Sequence, residues 1–79
     1  MSNPVISTNG SKIWYNEYSV YHRLDGPALE YITGLKVWYI NGIHIYELRP
    51  DGTTSKGDMT DIPDSIKQSI AIETLKVQS

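Results

Sequence analysis

The chain has no cysteine and no phenylalanine. Without thiols there are no disulfide staples and no thiolate metal ligands, a usage that agrees with a reducing cytoplasm. Without phenylalanine, aromatic bulk has to come from Trp14, Trp38 and six tyrosines. An excess of one charge is missing too. Seven Lys and Arg stand against nine Asp and Glu, a formal net charge of −2. Proteins that hold phosphate backbones take much of their affinity from basic clusters, so this balance weighs against general nucleic-acid binding. No apolar run approaches the roughly 18 residues of a membrane span, and residues 1–10 lack the basic start and apolar core of a secretory signal. The expectation is a soluble cytoplasmic protein with no membrane partner.

Length is also scarce. At 79 residues the chain is one domain, near the size at which the gain from a core barely exceeds the entropy of ordering it. Such a domain needs a tight core, a partner or self-association.

What the chain does have is turn signals at short intervals: Asn9-Gly10, Asp25-Gly26, Thr33-Gly34, Asn41-Gly42 and Asp51-Gly52. Asn-Gly and Asp-Gly accept positive φ at low cost, and between β-rich segments they mark hairpins. The intervening segments are rich in Tyr, Trp, Ile and Val, which predicts strands at 12–15, 18–23, 28–32, 36–40 and 43–48. Residues 4–7 are a candidate edge strand. Short connections make neighbouring strands antiparallel.

Two stretches echo each other. Residues 10–15, GSKIWY, return as 34–39, GLKVWY, an offset of 24 positions. Later, residues 53–60 lack periodicity and read as a linker, and residues 61–78 carry helix signals. Asp61 is a candidate N-cap with Asp64 three residues on, and Pro63 suits a first turn. Ile62, Ile66, Ile70 and Val77 share one arc of the predicted helix. Ile72 and Leu75 fall off that arc and are left for a second surface.

The paired motifs resemble those of MORN-like repeat proteins, a group that includes YwqK-type antitoxins and many small proteins of tailed phages. The matching residues are Lys12, Trp14, Tyr15, His22, Arg23, Asp25, Gly26, Pro27 and Ala28 in the first copy. In the second they are Gly34, Lys36, Trp38, Tyr39, Asn41 and Gly42. The first copy lacks the Asn-Gly turn and places His22 eight positions after Trp14, which predicts a bulge or a longer turn near residues 16–18. The resemblance spans residues 10–52, a little over half the chain. The expected fold is α+β: a small antiparallel meander of about five strands, built from two MORN-like hairpin repeats over residues 1–52. A linker over 53–60 then leads to one C-terminal helix over 61–78, packed on the sheet or on a partner.

Residues 22–28, HRLDGPA, hold the densest functional chemistry. An Asp25-oriented His22 would make a general base, but a catalytic site also needs a nucleophile or activated water in a pocket. There is no cysteine, and nothing marks Ser11 or Ser19 as activated. The structural reading gives Asp25 the turn amides, Gly26 a positive φ and Pro27 the start of the next strand, with Arg23 pairing to Asp25 or Glu30. No catalytic residue is expected. His22 and His44 lack further ligands at metal-site spacing, so neither a metal nor any other cofactor is expected. His44, alternating with Ile43 and Ile45, is expected to face solvent or a polar rim.

Neighbours in a strand point to opposite faces, so each Trp-Tyr pair puts one ring in the core and one outside. The expected contact surface is Tyr15 and Tyr39, joined by Tyr18, Tyr21 or Tyr46, with Arg23 and with Ile72 and Leu75 on the helix. Asn41 and Gly42 are turn residues, like Asp25, Gly26 and Pro27. Lys12 and Lys36 are placed beside the aromatics. This reads as a non-enzymatic protein-interaction module. The family resemblance implies a phage accessory protein that inhibits or redirects a bacterial host factor, in an anti-defence or antitoxin-like way, with a homo-oligomer as a further possibility. Single-stranded nucleic-acid binding through exposed aromatics is the alternative.

Overall fold

The computed structural model describes residues 4–78, with Val77 and Gln78 described by their backbone alone. Among these residues six strands and one helix follow in order: β1 (Val5–Ile6), β2 (Lys12–Ile13), β3 (Leu29–Glu30), β4 (Lys36–Ile40), β5 (Ile43–Leu48), β6 (Thr54–Lys56) and α1 (Asp64–Gln78). They form one antiparallel meander, β1-β2-β3-β4-β5-β6, followed by the helix. This is the expected small α+β fold, with one strand more than expected.

The turns explain the meander. At one end of the sheet, three hairpins share one hydrogen-bond pattern. The amides of Ser7, Tyr31 and Arg49 donate to the carbonyls of Ser11, Leu35 and Thr53, and those of Gly10, Gly34 and Gly52 donate back to Ser7, Tyr31 and Arg49. In each the glycine sits at positive φ, the left-handed residue of a three-residue hairpin loop. At the other end Asn41 and Gly42 join β4 to β5 with φ of 50° and 82°, the two positive values of a type I′ turn.

Three expectations are corrected. First, residues 18–23 are not a strand. Asn16–Val20 is a longer turn, closed by the Asn16 amide on the Val20 carbonyl with Ser19 at φ 62°, and only a Tyr15–Tyr21 bridge follows it. The lengthened turn expected near residues 16–18 is here. Second, residues 53–60 are not a plain linker, because β6 pairs with β5. An edge strand exposes its side chains, so Thr54 to Lys56 carry no apolar alternation to read. Third, the helix begins at Asp64 and Asp61 does not cap it. Asp61 lies at φ 54°, and Ile62, preceding a proline, is biased away from helical geometry. The Pro63 carbonyl accepts the first helical amides, from Ile66 and Lys67.

The core lies between one sheet face and α1. Trp38, Ile45, Tyr46 and Leu48 meet Ile62 and Ile66, with Ile40, Met59 and Ile70 around them. The Trp38 indole donates to Ser69 Oγ at 3.1 Å, and Lys36 lies 3.9 Å from Glu73. The side chain of Val77, the fourth residue of the expected stripe, lies outside those described. On β5 the register shifts between its pairings with Trp38 and Tyr39, so Ile45 is the extra residue of a bulge and joins the core beside Tyr46.

Candidate functional site

Strand alternation divides the two faces. Lys12, Glu30, Lys36 and Leu48 occupy one row of partners, and Ile13, Leu29, Val37 and Glu47 the next. The first row faces α1, as the Lys36–Glu73 pair shows. Trp14 and Trp38, two positions beyond Lys12 and Lys36, share that side. Tyr15 and Tyr39 take the opposite face, which α1 leaves free.

On that face the tyrosines form a continuous row. The rings of Tyr15 and Tyr21 lie 5.6 Å apart and those of Tyr21 and Tyr39 5.1 Å apart, while Tyr39 meets the His44 ring edge-on at 5.6 Å. Tyr21 is brought into line because the Asn16–Val20 turn folds it back opposite Tyr15. Backbone bonds then hold the returning segment against the β4–β5 tip: Gly42 N–H to the Tyr21 carbonyl at 2.7 Å and Arg23 N–H to the Tyr39 carbonyl at 3.2 Å. The Asn41 amide donates to His22 Nδ1 at 3.0 Å. Burial pushes the Tyr39 hydroxyl above its ordinary value of 10.0, helped by Tyr21, Tyr31 and Glu47 nearby. Tyr15, Tyr21, Tyr39 and His44 are all half-buried, so the rings pack on each other and part of their surface stays accessible. Beside the first step of the row is an open cleft of about 430 Å³, lined by Tyr15, Ser19, Val20, Tyr21 and Gly42.

The HRLDGPA segment does something else. Trp14 donates its amide to Ala28 and accepts from His22, so the chain leaves the sheet at Arg23 and re-enters at Ala28. The excursion folds onto the helix side, where Asp25 borders a shallow groove with Ser65, Ser69 and Ile72 of α1. Arg23 closes it. Nε donates to Asp25 at 2.7 Å, and Nη1 donates to Glu30 at 2.9 Å and to the Pro27 carbonyl at 3.1 Å. The guanidinium carbon lies 3.8 Å from the centre of a Trp14 ring, a cation–π distance. The bond from Arg23 holds the Asp25 carboxyl below its ordinary 3.8. The repeat-equivalent tryptophans are thus covered in different ways, Trp38 by α1 and Trp14 by an arginine clamp.

Comparison with family models, with curated proteins and with solved structures finds no match. The candidate site therefore rests on geometry.

The expected contact residues separate into groups. Tyr15 and Tyr39 are in the row. Tyr18 is 77% exposed at the tip of its turn, where its amide donates to Asn16 Oδ1, and it does not join the row. Tyr46 is corrected outright. It is 8% exposed and packs edge-on against Trp38 inside the core, because the register pairs it with Trp38 on the α1 side. Arg23 is committed to the clamp. Ile72 and Leu75 stand exposed on α1, at 53% and 66%. Lys12 and Lys36 are not beside the aromatics, since both belong to the row that faces α1. His44 is at the row's polar end, where Nε2 lies 4.0 Å from Glu47.

Asn41 and Gly42 make the turn as expected. Gly26 does not adopt positive φ. It matters because a Cβ there would stand 2.7 Å from Arg23 Cζ. Asp25 bonds to Arg23, and the His22 ring bonds to the Asn41 amide, so the two are not joined as a base and its orienting carboxylate. Among the described residues no group of three His, Cys, Asp or Glu comes together as a metal site would require, and no helix is long and apolar enough to cross a membrane. Tyr21 and Glu47 carry no motif of their own in the sequence. The signal for Tyr21 is that a five-residue turn at 16–20 puts it opposite Tyr15.

Proposed function

We propose that this protein is a non-enzymatic protein-interaction module whose contact surface is the helix-free face, centred on Tyr15, Tyr21 and Tyr39. The observation that carries the reading is the unbroken ring-to-ring row at 5.1–5.6 Å on a face that α1 does not cover. Tyrosines held in place present large contact area with little entropy left to lose, which is why they are enriched where proteins bind. Exposed Ile72 and Leu75 offer a second, smaller contact on α1. The MORN-like resemblance supports a bacterial host protein as the partner, bound in the cytoplasm and inhibited or redirected by a phage accessory protein. Base stacking by the same rings is disfavoured by charge, because Lys12 and Lys36 lie on the opposite face from the row.

The test separates core from contact. Trp38→Ala should remove about 3–5 kcal/mol, which matches the whole stability a domain this small draws from its core, and the variant should lack a cooperative melt. Tyr39→Ala should keep a cooperative melt and capture at least ~10-fold less of a bacterial partner in affinity pull-down with mass spectrometry. Loss of folding in both variants, or an unchanged capture profile for Tyr39→Ala, would sink this assignment of the faces.

A further inference from the structure

Resting on that reading, we infer that the tyrosine row recognises a proline-rich segment in the polyproline II conformation, neutral or basic in its flanking residues. Such a helix advances about 3.1 Å per residue with three residues per turn, and its backbone carbonyls have no internal donors. Aromatic-lined grooves take these segments because the ligand is ordered before it binds and its ridges fit between rings. The row supplies the matching parts. Tyr15–Tyr21 and Tyr21–Tyr39 are steps of 5.6 and 5.1 Å with rings tilted by 34° and 53°. Two such steps span roughly one polyproline turn, about 9 Å. Tilted neighbours leave notches, and the cleft lined by Tyr15, Val20, Tyr21 and Gly42 opens beside the first of them. Val20 gives the cleft an apolar wall, 38% exposed, and the tyrosine hydroxyls are donors for the unpaired carbonyls.

Charge on this face chooses the flanks. Glu47 lies at the Tyr39 end, near enough to act on the Tyr39 hydroxyl, and Glu17 sits exposed in the turn that borders the cleft. The cation on the same face, Arg49, is held by Glu47 at 3.0 Å and by Ser55 at 2.6 Å. Lys12 and Lys36 face the other way. Glu47 and Arg49 offset each other, so among the described residues Glu17 is the carboxylate beside the cleft with no cation partner, and no cation there lacks a carboxylate. This disfavours nucleic acid, phosphopeptide and anionic lipid, and suits a segment ending in Arg or Lys.

The experiment is an amide NMR titration of the full chain with four probes. These are an oligoproline peptide with arginine flanks, the same peptide with glutamate flanks, a Gly-Ser peptide of equal length and a thymidine homopolymer. Saturable shifts are expected with the arginine-flanked peptide at Tyr15, Val20, Tyr21 and Gly42, with weaker binding of the glutamate-flanked one and none of the Gly-Ser peptide. Tyr21→Ala should weaken binding at least ~10-fold and Tyr18→Ala should not. Absence of saturable shifts with both proline peptides, equal shifts with the Gly-Ser peptide, or shifts centred on α1 would overturn the assignment. Tighter binding of the homopolymer on the row would replace it with base stacking. If proline peptides fail while Tyr39→Ala still abolishes partner capture, only the polyproline ligand falls. If that capture is also unchanged, the contact-face reading falls with it.

Discussion

Arg23 shows how one side chain can do the work of a secondary-structure element. Trp38 is covered by a helix, whereas Trp14 is covered by a guanidinium held by two carboxylates and a carbonyl. A planar fork suits this, because it can stack on an indole while its N–H groups point outward in the same plane. The neighbouring Gly26 keeps the space open, since any Cβ would collide with the guanidinium carbon. Arg23→Ala should therefore cost about 1–3 kcal/mol, leaving Glu30 without its partner and Trp14 uncovered. Gly26→Ala should cost a similar amount by pushing Arg23 off Trp14. Denaturant melts of both single variants and the double should show strong non-additivity, the second change adding little once the clamp is open. Additivity within ~0.5 kcal/mol would mean that the two residues act independently.

The β6–α1 connection is the element that ties the β5 bulge to the helix. After β6 the amides of Gly57 and Asp58 donate to Ile45 and His44, each at 2.8 Å, carrying the pairing past the β5 bulge and towards α1. This brings backbone against backbone. A Cβ on Gly57 would collide with the His44 carbonyl oxygen as well as with the His44 ring nitrogen Nδ1, and the backbone oxygen cannot swing aside as the ring could. Gly57→Ala should lower stability by roughly 1–3 kcal/mol, as overpacking against a rigid wall does, and should shift the resonances of His44 and Tyr39. An unchanged denaturation midpoint would show that the strands separate there at no cost. The contrast with the β2–β3 connection is instructive. Asn41-Gly42 closes its hairpin in two residues, but the corresponding segment of the first repeat uses three, Glu17–Ser19 between Asn16 and Val20, and that longer turn is what brings Tyr21 between Tyr15 and Tyr39.

Across the molecule, three loop carboxylates are held below their ordinary value of 3.8. Asp25 is held by the Arg23 hydrogen bond, Asp51 by bonds from the Thr53 side chain and amide, and Asp58 chiefly by the Thr60 amide. Each binds protons less readily folded than unfolded. Their contribution is complete above the unfolded value and disappears as the pH falls through the lower folded values. Stability should therefore decline on acidification, starting as the pH nears 3.8 from above. Asp25→Asn should reduce the steepness of that decline, followed by denaturant midpoints across the acid range. A stability that holds constant or rises on acidification would contradict the three assignments together. The same loops tie the sheet together at its turns, so acid should loosen the rim before it reaches Trp38.

Much of this architecture was legible in the residues. Asn9-Gly10, Asn41-Gly42 and Asp51-Gly52 mark turns because few other residues tolerate positive φ, whereas Asp25-Gly26 does not use it, and the period of two means that the Trp and Tyr of each pair part company. The helix is legible from the spacing of Ile66 and Ile70, although the same spacing wrongly draws in Ile62 ahead of its start. Which face α1 would cover was not, because alternation says only that two faces differ. That choice came from contacts between distant residues, Trp38 with Ser69 and Lys36 with Glu73, and it put Tyr46 inside and both lysines away from the row. β6 was hidden because an edge strand needs hydrogen bonds from a neighbour and no apolar side chains of its own. The role of HRLDGPA was hidden for a related reason. Its polar residues describe a turn in isolation, and they become a clamp only when the fold brings Trp14 and Glu30 within reach of Arg23.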